Sequence, residues 1–176
     1  MRITGGELRG RRLATPPRRS AAVRPTSDKV REAIFSILGD LEGFSVVDLY
    51  CGTGALGIEA ISRGAARATL VDTDVSLARR NVADLELEGR AAVMRSEVLR
   101  FLRRGRPIFD VVFCDPPYRL ADRLEADLDR LIPRRLASGG SVIVESAARH
   151  PLELSLPLLV ERRYGDTLVR MYGEGR

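Results

Sequence analysis

Ser45-Val46-Val47-Asp48-Leu49-Tyr50-Cys51-Gly52-Thr53-Gly54-Ala55-Leu56-Gly57 joins an apolar run of strand length, Ser45–Leu49, to a glycine-rich turn and then to a helical pattern, Ala55–Arg63, stopped by Gly64. Glycines at 52 and 54 let the backbone turn tightly and approach a ligand where a Cβ would clash. The same alternation continues downstream. Ala68–Val71 reads as a second strand, and Val75–Glu88 as a helix with Leu77, Ala78, Val82 and Leu85 on one face. Ala91–Met94 is a third strand, Val98–Arg104 a short helix, Phe109–Phe113 a fourth strand, Ala121–Leu136 a helix and Ser141–Glu145 a fifth strand. Strands alternating with helices predict a parallel sheet covered on both faces. The tail breaks the alternation: Leu156–Tyr164 and Thr167–Tyr172 are separated only by Gly165-Asp166, a hairpin signal.

Upstream, Val30, Ile34, Ile37 and Leu41 recur at spacings of 4, 3 and 4, which predicts a helix capped by Thr26 or Ser27 after Pro25 and ended by Gly43. The first 20 residues, with Gly5-Gly6, Gly10 and Pro16-Pro17, read as a small hairpin or an extended arm. Charge sets this end apart. Of 29 Lys+Arg and 24 Asp+Glu in 176 residues, residues 1–32 hold nine basic and three acidic groups, net +6, and the other 144 residues are close to neutral at −1. The division expected is a basic, nucleic-acid-binding arm over 1–25 and an α/β domain over 26–176. Arg9, Arg11, Arg12, Arg18, Arg19, Arg24, Lys29 and Arg31 are the candidate nucleic-acid contacts, with Arg9 to Arg19 expected on phosphates and the Arg24–Phe35 segment expected to lie against the domain and help shape its site.

Composition excludes several classes. A hydrophobic content of 44% excludes global disorder, and no apolar run approaches the roughly 18–20 residues of a membrane span. The start lacks the apolar core of a signal peptide, so a cytoplasmic location is expected. Two cysteines, Cys51 and Cys114, are too few for a disulfide framework, and a single histidine, His150, argues against a metal centre.

Three places carry chemistry. The first is the glycine turn, at the carboxyl end of a strand where ligands of open α/β sheets sit. Gly52 to Gly57 also spells G-x-G-x-x-G, which does not by itself separate a nicotinamide dinucleotide from S-adenosylmethionine. The second is Asp72, which ends the second strand and is placed to accept hydrogen bonds from a ribose diol. Nearby Asp74 reads as a helix cap, and Glu97 either reaches an adenine edge or serves the first turn of a helix. The third is Asp115-Pro116-Pro117-Tyr118 after the fourth strand. Two prolines fix φ twice and remove two N–H donors, leaving a rigid loop rich in acceptors. The Asp115 carboxylate and the Pro116 carbonyl, accepting both N–H bonds of an exocyclic base amine, would pull its nitrogen out of conjugation. Tyr118 would stack on the base.

Together these segments resemble the class I S-adenosylmethionine-dependent methyltransferases, whose N-methylating members carry an Asp/Asn-Pro-Pro-Tyr/Phe loop after the fourth strand. More specifically, the whole chain resembles the bacterial 16S ribosomal RNA guanine-N2 methyltransferase family called RsmD. The marks are Thr4-Gly5-Gly6 with Arg9-Gly10-Arg11, then Arg24-Pro25-Thr26-Ser27-Asp28-Lys29-Val30-Arg31-Glu32-Ala33-Ile34-Phe35, and the glycine and Pro-Pro loops already quoted. The resemblance implies a seven-stranded Rossmann-like sheet whose antiparallel last strand lies beside the fifth. It implies S-adenosylmethionine, without a metal, held by Asp48, Cys51, Gly52, Thr53, Gly54, Asp72, Thr73, Glu97 and Val98. Asp115, Pro116, Pro117 and Tyr118 would bind the amine, and a monomer would act on 16S rRNA or the small ribosomal subunit.

Tyr118 stands where Phe is common in that family, which keeps DNA adenine-N6 methylation open. Cytosine-C5 methylation would need a thiolate, for which Cys114 is the candidate beside the Pro-Pro loop, although packing near neighbouring strand ends suits both cysteines better. A NAD-dependent oxidoreductase and a non-catalytic RNA-binding module are the remaining alternatives. The first gives the Asp115–Tyr118 loop no task; the second leaves an intact cofactor turn unexplained.

Overall fold

A computed structural model describes residues 1–16, 28–117 and 121–174. The chain order is α1 (Asp28–Leu38), β1 (Ser45–Leu49), α2 (Ala55–Ser62), β2 (Arg67–Asp72), α3 (Ser76–Asp84), β3 (Ala91–Arg95), α4 (Val98–Arg103), β4 (Phe109–Cys114) and α5 (Ala121–Leu131). A short 3₁₀ turn, Pro133–Arg135, then leads into β5 (Leu136–Ala147), β6 (Leu158–Tyr164) and β7 (Thr167–Gly173). The strands form one seven-stranded sheet in the order β3-β2-β1-β4-β5-β7-β6. β1 to β5 pair in parallel, and β7 inserts antiparallel between β5 and β6. The expected seven-stranded α/β architecture with an antiparallel final strand is therefore what the chain adopts.

The parallel strands are apolar on both faces because helices cover both. Val46, Val111, Phe113 and Ile143 face a core shared with α1, α2 and α3, and their neighbours Val47, Val112, Cys114 and Val142 face a second core shared with α4 and α5. Strand order reverses between β1 and β4, where Leu49 pairs with Cys114. That reversal opens the crevice in which such sheets bind ligands.

Several boundaries differ from expectation, each for a local reason. α1 ends at Leu38, well before Gly43, because Gly39 at φ 72° takes the left-handed position and donates its N–H to Phe35 O. The expected caps Thr26 and Ser27 lie outside the described residues. α3 stops at Asp84, and the chain reverses through Glu86 at φ 58°, so Leu85 and Leu87 are buried beyond the helix rather than on it. α5 ends at Leu131 just before Pro133, and β5 starts earlier than expected, at Leu136, with a register shift opposite Phe109–Val111.

Residues 1–13 form a hairpin, closed by Ile3 N–H to Arg11 O (3.0 Å) and Gly10 N–H to Ile3 O (2.9 Å). It is not a detached arm, since Ile3 and Leu13 are buried in the first core. Its tip is fastened to the end of α2, where Glu7 N–H donates to Ser62 O (2.7 Å) and Leu8 N–H to Ser62 Oγ (2.9 Å). Gly6 allows that approach, because a Cβ there would lie 1.7 Å from Ser62 O. Among the described residues, no helix is long and apolar enough to cross a membrane.

Candidate active site

The site begins where β1 ends. Tyr50, Gly52 and Gly54 take positive φ angles of 61°, 51° and 76°, so the backbone coils around the strand end before α2 starts. Two bonds brace the coil: Cys51 N–H to Val71 O (3.2 Å) and Gly54 N–H to Cys51 O (2.7 Å). A Cβ at Gly57 would lie 2.2 Å from Leu70 Cδ2, so α2 sits closer to β2 than another residue would permit. On the outer side a Cβ at Gly52 would meet nothing within 4 Å, which leaves the turn open to a ligand.

Carboxylates surround this turn. Asp72, ending β2, accepts Gly52 N–H (2.9 Å) on one oxygen and Thr73 N–H (2.7 Å) on the other. Asp48 is buried and accepts Gly57 N–H (3.0 Å). Burial pushes its carboxyl up to about 7 and the charge of Asp72 adds to the rise, against the lowering effect of the Gly57 bond. Val75, not Asp74, takes the cap position of α3; Asp74, one residue earlier, accepts Ser76 N–H (3.0 Å), and that bond holds its carboxyl below the usual range.

A small cavity of about 70 Å³ brings the expected groups together. Asp48, Cys51, Gly52 and Thr53 line it with Tyr50, and Asp115 closes it from the end of β4. The glycine turn and the first residue of the Pro-Pro loop thus open on one space. Pro116 is buried and Pro117 exposed, giving the loop one anchored and one outward proline; Tyr118 lies outside the described residues. Thr73 is exposed beside Asp72, and Glu97 and Val98, exposed and buried respectively, start α4 across the end of β3 rather than lining the cavity. Cys114 is fully buried toward α5, and burial followed by the charge of Asp115 pushes its thiol up. Burial followed by the charge of Asp48 does the same to Cys51, so neither sulfur is a ready thiolate.

The candidate phosphate contacts divide. Arg9, Arg11, Arg12 and Lys29 are exposed, and Arg18, Arg19 and Arg24 fall outside the described residues. Arg31 is a correction. It is fully buried, its Nε donates to Glu59 Oε2 (2.7 Å), and its Nη2 donates to Asp28 Oδ1 (2.8 Å) and to Arg2 O. Glu59, equally buried, also accepts from Thr4 and from Arg63 Nη2 (2.9 Å). The pair therefore locks α1, α2 and the hairpin together instead of reaching a phosphate.

One residue was missed by the sequence. Asn81 on α3 is 1% exposed; its Oδ1 accepts Ala14 N–H (2.7 Å), and its Nδ2 donates to Ala14 O (3.2 Å) and Thr53 O (2.9 Å). One amide thus fixes both the exit of the hairpin and the tip of the glycine turn. Its signal was a polar residue on the apolar face of α3, between Ala78 and Val82.

The family model described as Conserved hypothetical protein 95 matches residues 1–173. Ribosomal RNA small subunit methyltransferase D of Haemophilus influenzae is 32% identical over 182 residues, covering 98% of this chain and 93% of its own. The chain belongs to the RsmD family. The protein of the same name from Escherichia coli strain K12 is 41% identical over 123 residues, 68% of this chain and 61% of that relative's length. The E. coli structure "Putative methyltransferase yhhF" superposes with a TM-score of 0.85 at 33% identity, covering 99% of this chain and 98% of its own. A solved methyltransferase-fold structure complexed with SAH aligns at 16% identity and TM-score 0.66 over 86% of this chain and 50% of its own, a likeness of fold. Among the described residues no group of three or more His, Cys, Asp or Glu could hold a metal ion.

Proposed function

We propose that this RsmD-family chain is an S-adenosylmethionine-dependent methyltransferase that modifies the exocyclic N2 amine of a guanine in 16S ribosomal RNA. The observation that carries the proposal is the single cavity shared by the glycine turn and Asp115 at the β1/β4 reversal. The names of the E. coli and H. influenzae relatives support a small-subunit RNA substrate. The residues present suit the cofactor: Gly52 leaves open space at a turn braced by Asp72, and Asp48 and Asp72 offer acceptors on either side.

When bound, S-adenosylmethionine supplies a methyl group on a sulfonium, a good electrophile with a neutral leaving group. The chain's own part is orientation. Asp72, Thr73, Glu97 and Val98 would hold the nucleoside side, and Asp48, Cys51, Thr53 and Gly54 the remainder. Asp115 and the Pro116 carbonyl would accept the two N–H bonds of the amine, directing its lone pair, and Tyr118 would stack on the base. Fixing that geometry is worth several kcal/mol of barrier, about 7–11 in the most favourable cases. A guanine reached in this way must leave its stack, which favours an unpaired segment. No covalent enzyme intermediate is needed, in keeping with the buried Cys114 thiol.

The test is transfer of labelled methyl from S-adenosylmethionine to total RNA, small ribosomal subunits and DNA, followed by nucleoside analysis. N2-methylguanosine in small-subunit RNA is the expected product. Methyladenine or 5-methylcytosine alone overturns the specificity.

A further inference from the structure

Away from the cavity, the chain builds a second basic surface at the opposite end of the sheet. Residues 98–109 contain four arginines, Arg100, Arg103, Arg104 and Arg106, and no acid. All four are exposed, as are Arg130 at the end of α5 and Arg134 in the 3₁₀ turn. Contacts make these one surface. Asp127 pairs with both Arg103 (3.5 Å) and Arg130 (2.5 Å), joining α4 to α5. Buried Arg135, next to Arg134, donates to Phe101 O (2.8 Å) and Pro107 O (2.7 Å), fastening the 3₁₀ turn to the end of α4 and the loop after it. Its guanidinium lies 4.4 Å from the centre of the Phe101 ring and 5.5 Å from that of Phe109, so the platform under the exposed arginines is packed.

Within this surface Asp127 is the acid that pairs with the arginines, and Arg100, Arg104, Arg106 and Arg134 have no ion pair among the described residues. Elsewhere Arg63, Arg90 and Arg170 each meet a carboxylate within 3.1 Å, while the exposed Arg67, Arg79, Arg162 and Arg163, without an ion pair among the described residues, are spread over β2, α3 and β6 instead of gathered on one loop and its neighbours. Of the other α5 acids, Glu125 accepts Glu153 N–H and Asp129 accepts from Ser155, so six arginines share Asp127 alone as an ion-pair partner among the described residues, an excess of positive charge that suits a polyanion. Ile108, 53% exposed, sits among them as an apolar contact of the kind that a ribose or an unstacked base can cover.

We propose that the α4–α5 end is a second RNA-binding surface, which grips phosphates of the same substrate whose guanine enters the cavity. This rests on the RNA reading given above. β4 enters the sheet at this end and reaches Asp115 six residues later, a span of about 20 Å at ~3.3 Å per residue. The substrate is therefore an RNA structure long enough to cross that distance, and a minimal stem-loop is held at one end only.

The test removes charge without touching the cavity. Arg100, Arg104, Arg106 and Arg134 are changed together to Gln, and a control replaces four exposed arginines elsewhere, Arg67, Arg79, Arg162 and Arg163, in the same way. Affinity for a 16S rRNA fragment with a stem of about fifteen base pairs, and for one of about four base pairs, is measured from 50 to 200 mM salt. On the long RNA the slope of log K against log salt should flatten by roughly 0.7–0.9 per lost phosphate contact, about 3 in all, and affinity should fall at least about tenfold. On the short RNA the variant should match the wild-type chain, and S-adenosylhomocysteine affinity should not change. An unchanged slope on the long RNA, an equal flattening in the control, or an equal loss on both RNAs overturns the proposal. So does binding to phosphatidylglycerol vesicles that depends on these arginines while RNA affinity does not. Binding is read without catalysis, so a wild-type chain that binds long RNA through this surface yet methylates none would sink the proposed activity and leave the surface standing.

Discussion

Changing Arg31 to Met should cost this protein a large share of its stability and none of its charge-dependent grip on RNA. Both side chains of the Arg31–Glu59 pair are fully excluded from solvent at 2.7 Å separation. Removing one partner of such a pair typically costs about 3–5 kcal/mol, because the other is left charged in a dry setting. Arg63, whose side chain is 24% exposed, keeps its 2.9 Å contact with Glu59, so the residual charge is partly balanced and the lower end, about 3 kcal/mol, is expected. For a domain of this size about 3 kcal/mol lowers Tm by roughly 6–12 °C. Urea unfolding followed by far-UV circular dichroism measures the loss, with an unchanged m-value showing that the unfolded state is unaltered. The double change Arg31→Met with Glu59→Met should cost less than the sum of the two single changes, since an apolar pair leaves no stranded charge. A single-variant loss below about 1 kcal/mol would refute the buried-pair account. So would a reduced salt dependence of RNA binding, which would return Arg31 to the phosphate-contact set.

Asn81→Asp keeps an acceptor for Ala14 N–H but turns oxygens toward the Ala14 and Thr53 carbonyls; it should weaken S-adenosylhomocysteine binding about tenfold by titration calorimetry. Unchanged binding would show that the turn holds itself. Asp48 has a folded-state carboxyl raised from 3.8 to about 7, so the folded chain binds the extra proton and stability falls as pH rises from about 4 to 7. Asn at 48 abolishes that component, on the order of 4 kcal/mol, and the wild-type and variant stability curves should diverge across this window. Parallel curves would place the titration elsewhere. Gly57→Ala forces a methyl to within 2.2 Å of Leu70 and should destabilise by about 1–3 kcal/mol in the same unfolding assay; a neutral result would mean that α2 can shift outward. Cys114→Ala should keep methyl transfer within about twofold of wild type, and total loss with cofactor binding intact would revive a thiolate mechanism.

The sheet was legible because parallel strands buried on both faces appear as unbroken apolar runs, as in Val46-Val47 and Val111-Val112-Phe113. The cavity was legible through its loops, since Asp48, Cys51, Gly52 and Asp115, which line it, owe their places to strand ends that the apolar pattern locates; Gly54 and Asp72 lie beside it without lining it. Helix ends were less so: the stops at Gly39 and Glu86 depend on local dihedrals that periodicity does not encode. Arg31 was misassigned by counting charge instead of position. Val30, Ile34, Phe35 and Leu38 mark the buried stripe of α1, and Arg31 falls within it, at helical spacing from Phe35 and Leu38. The docking of the hairpin was hard to read for a related reason, because its buried anchors Ile3 and Leu13 stand among Arg2, Arg9, Arg11 and Arg12 without a periodic pattern. Asn81 and Arg135 act through backbone carbonyls of distant segments, partners that a linear pattern does not reveal.

The hairpin also bears on how the chain assembles. The partners of this segment lie far along the chain: Glu59 is 55 positions from Thr4, Asn81 is 67 from Ala14, and Arg90 is 83 from Glu7. Closing loops of that length costs about 2 kcal/mol more in chain entropy than closing one of ten residues. Contacts so remote in sequence form slowly. The tip of the glycine turn is held by the same Asn81 that holds Ala14, so ordering the exit of the hairpin and ordering the turn draw on one side chain and favour each other.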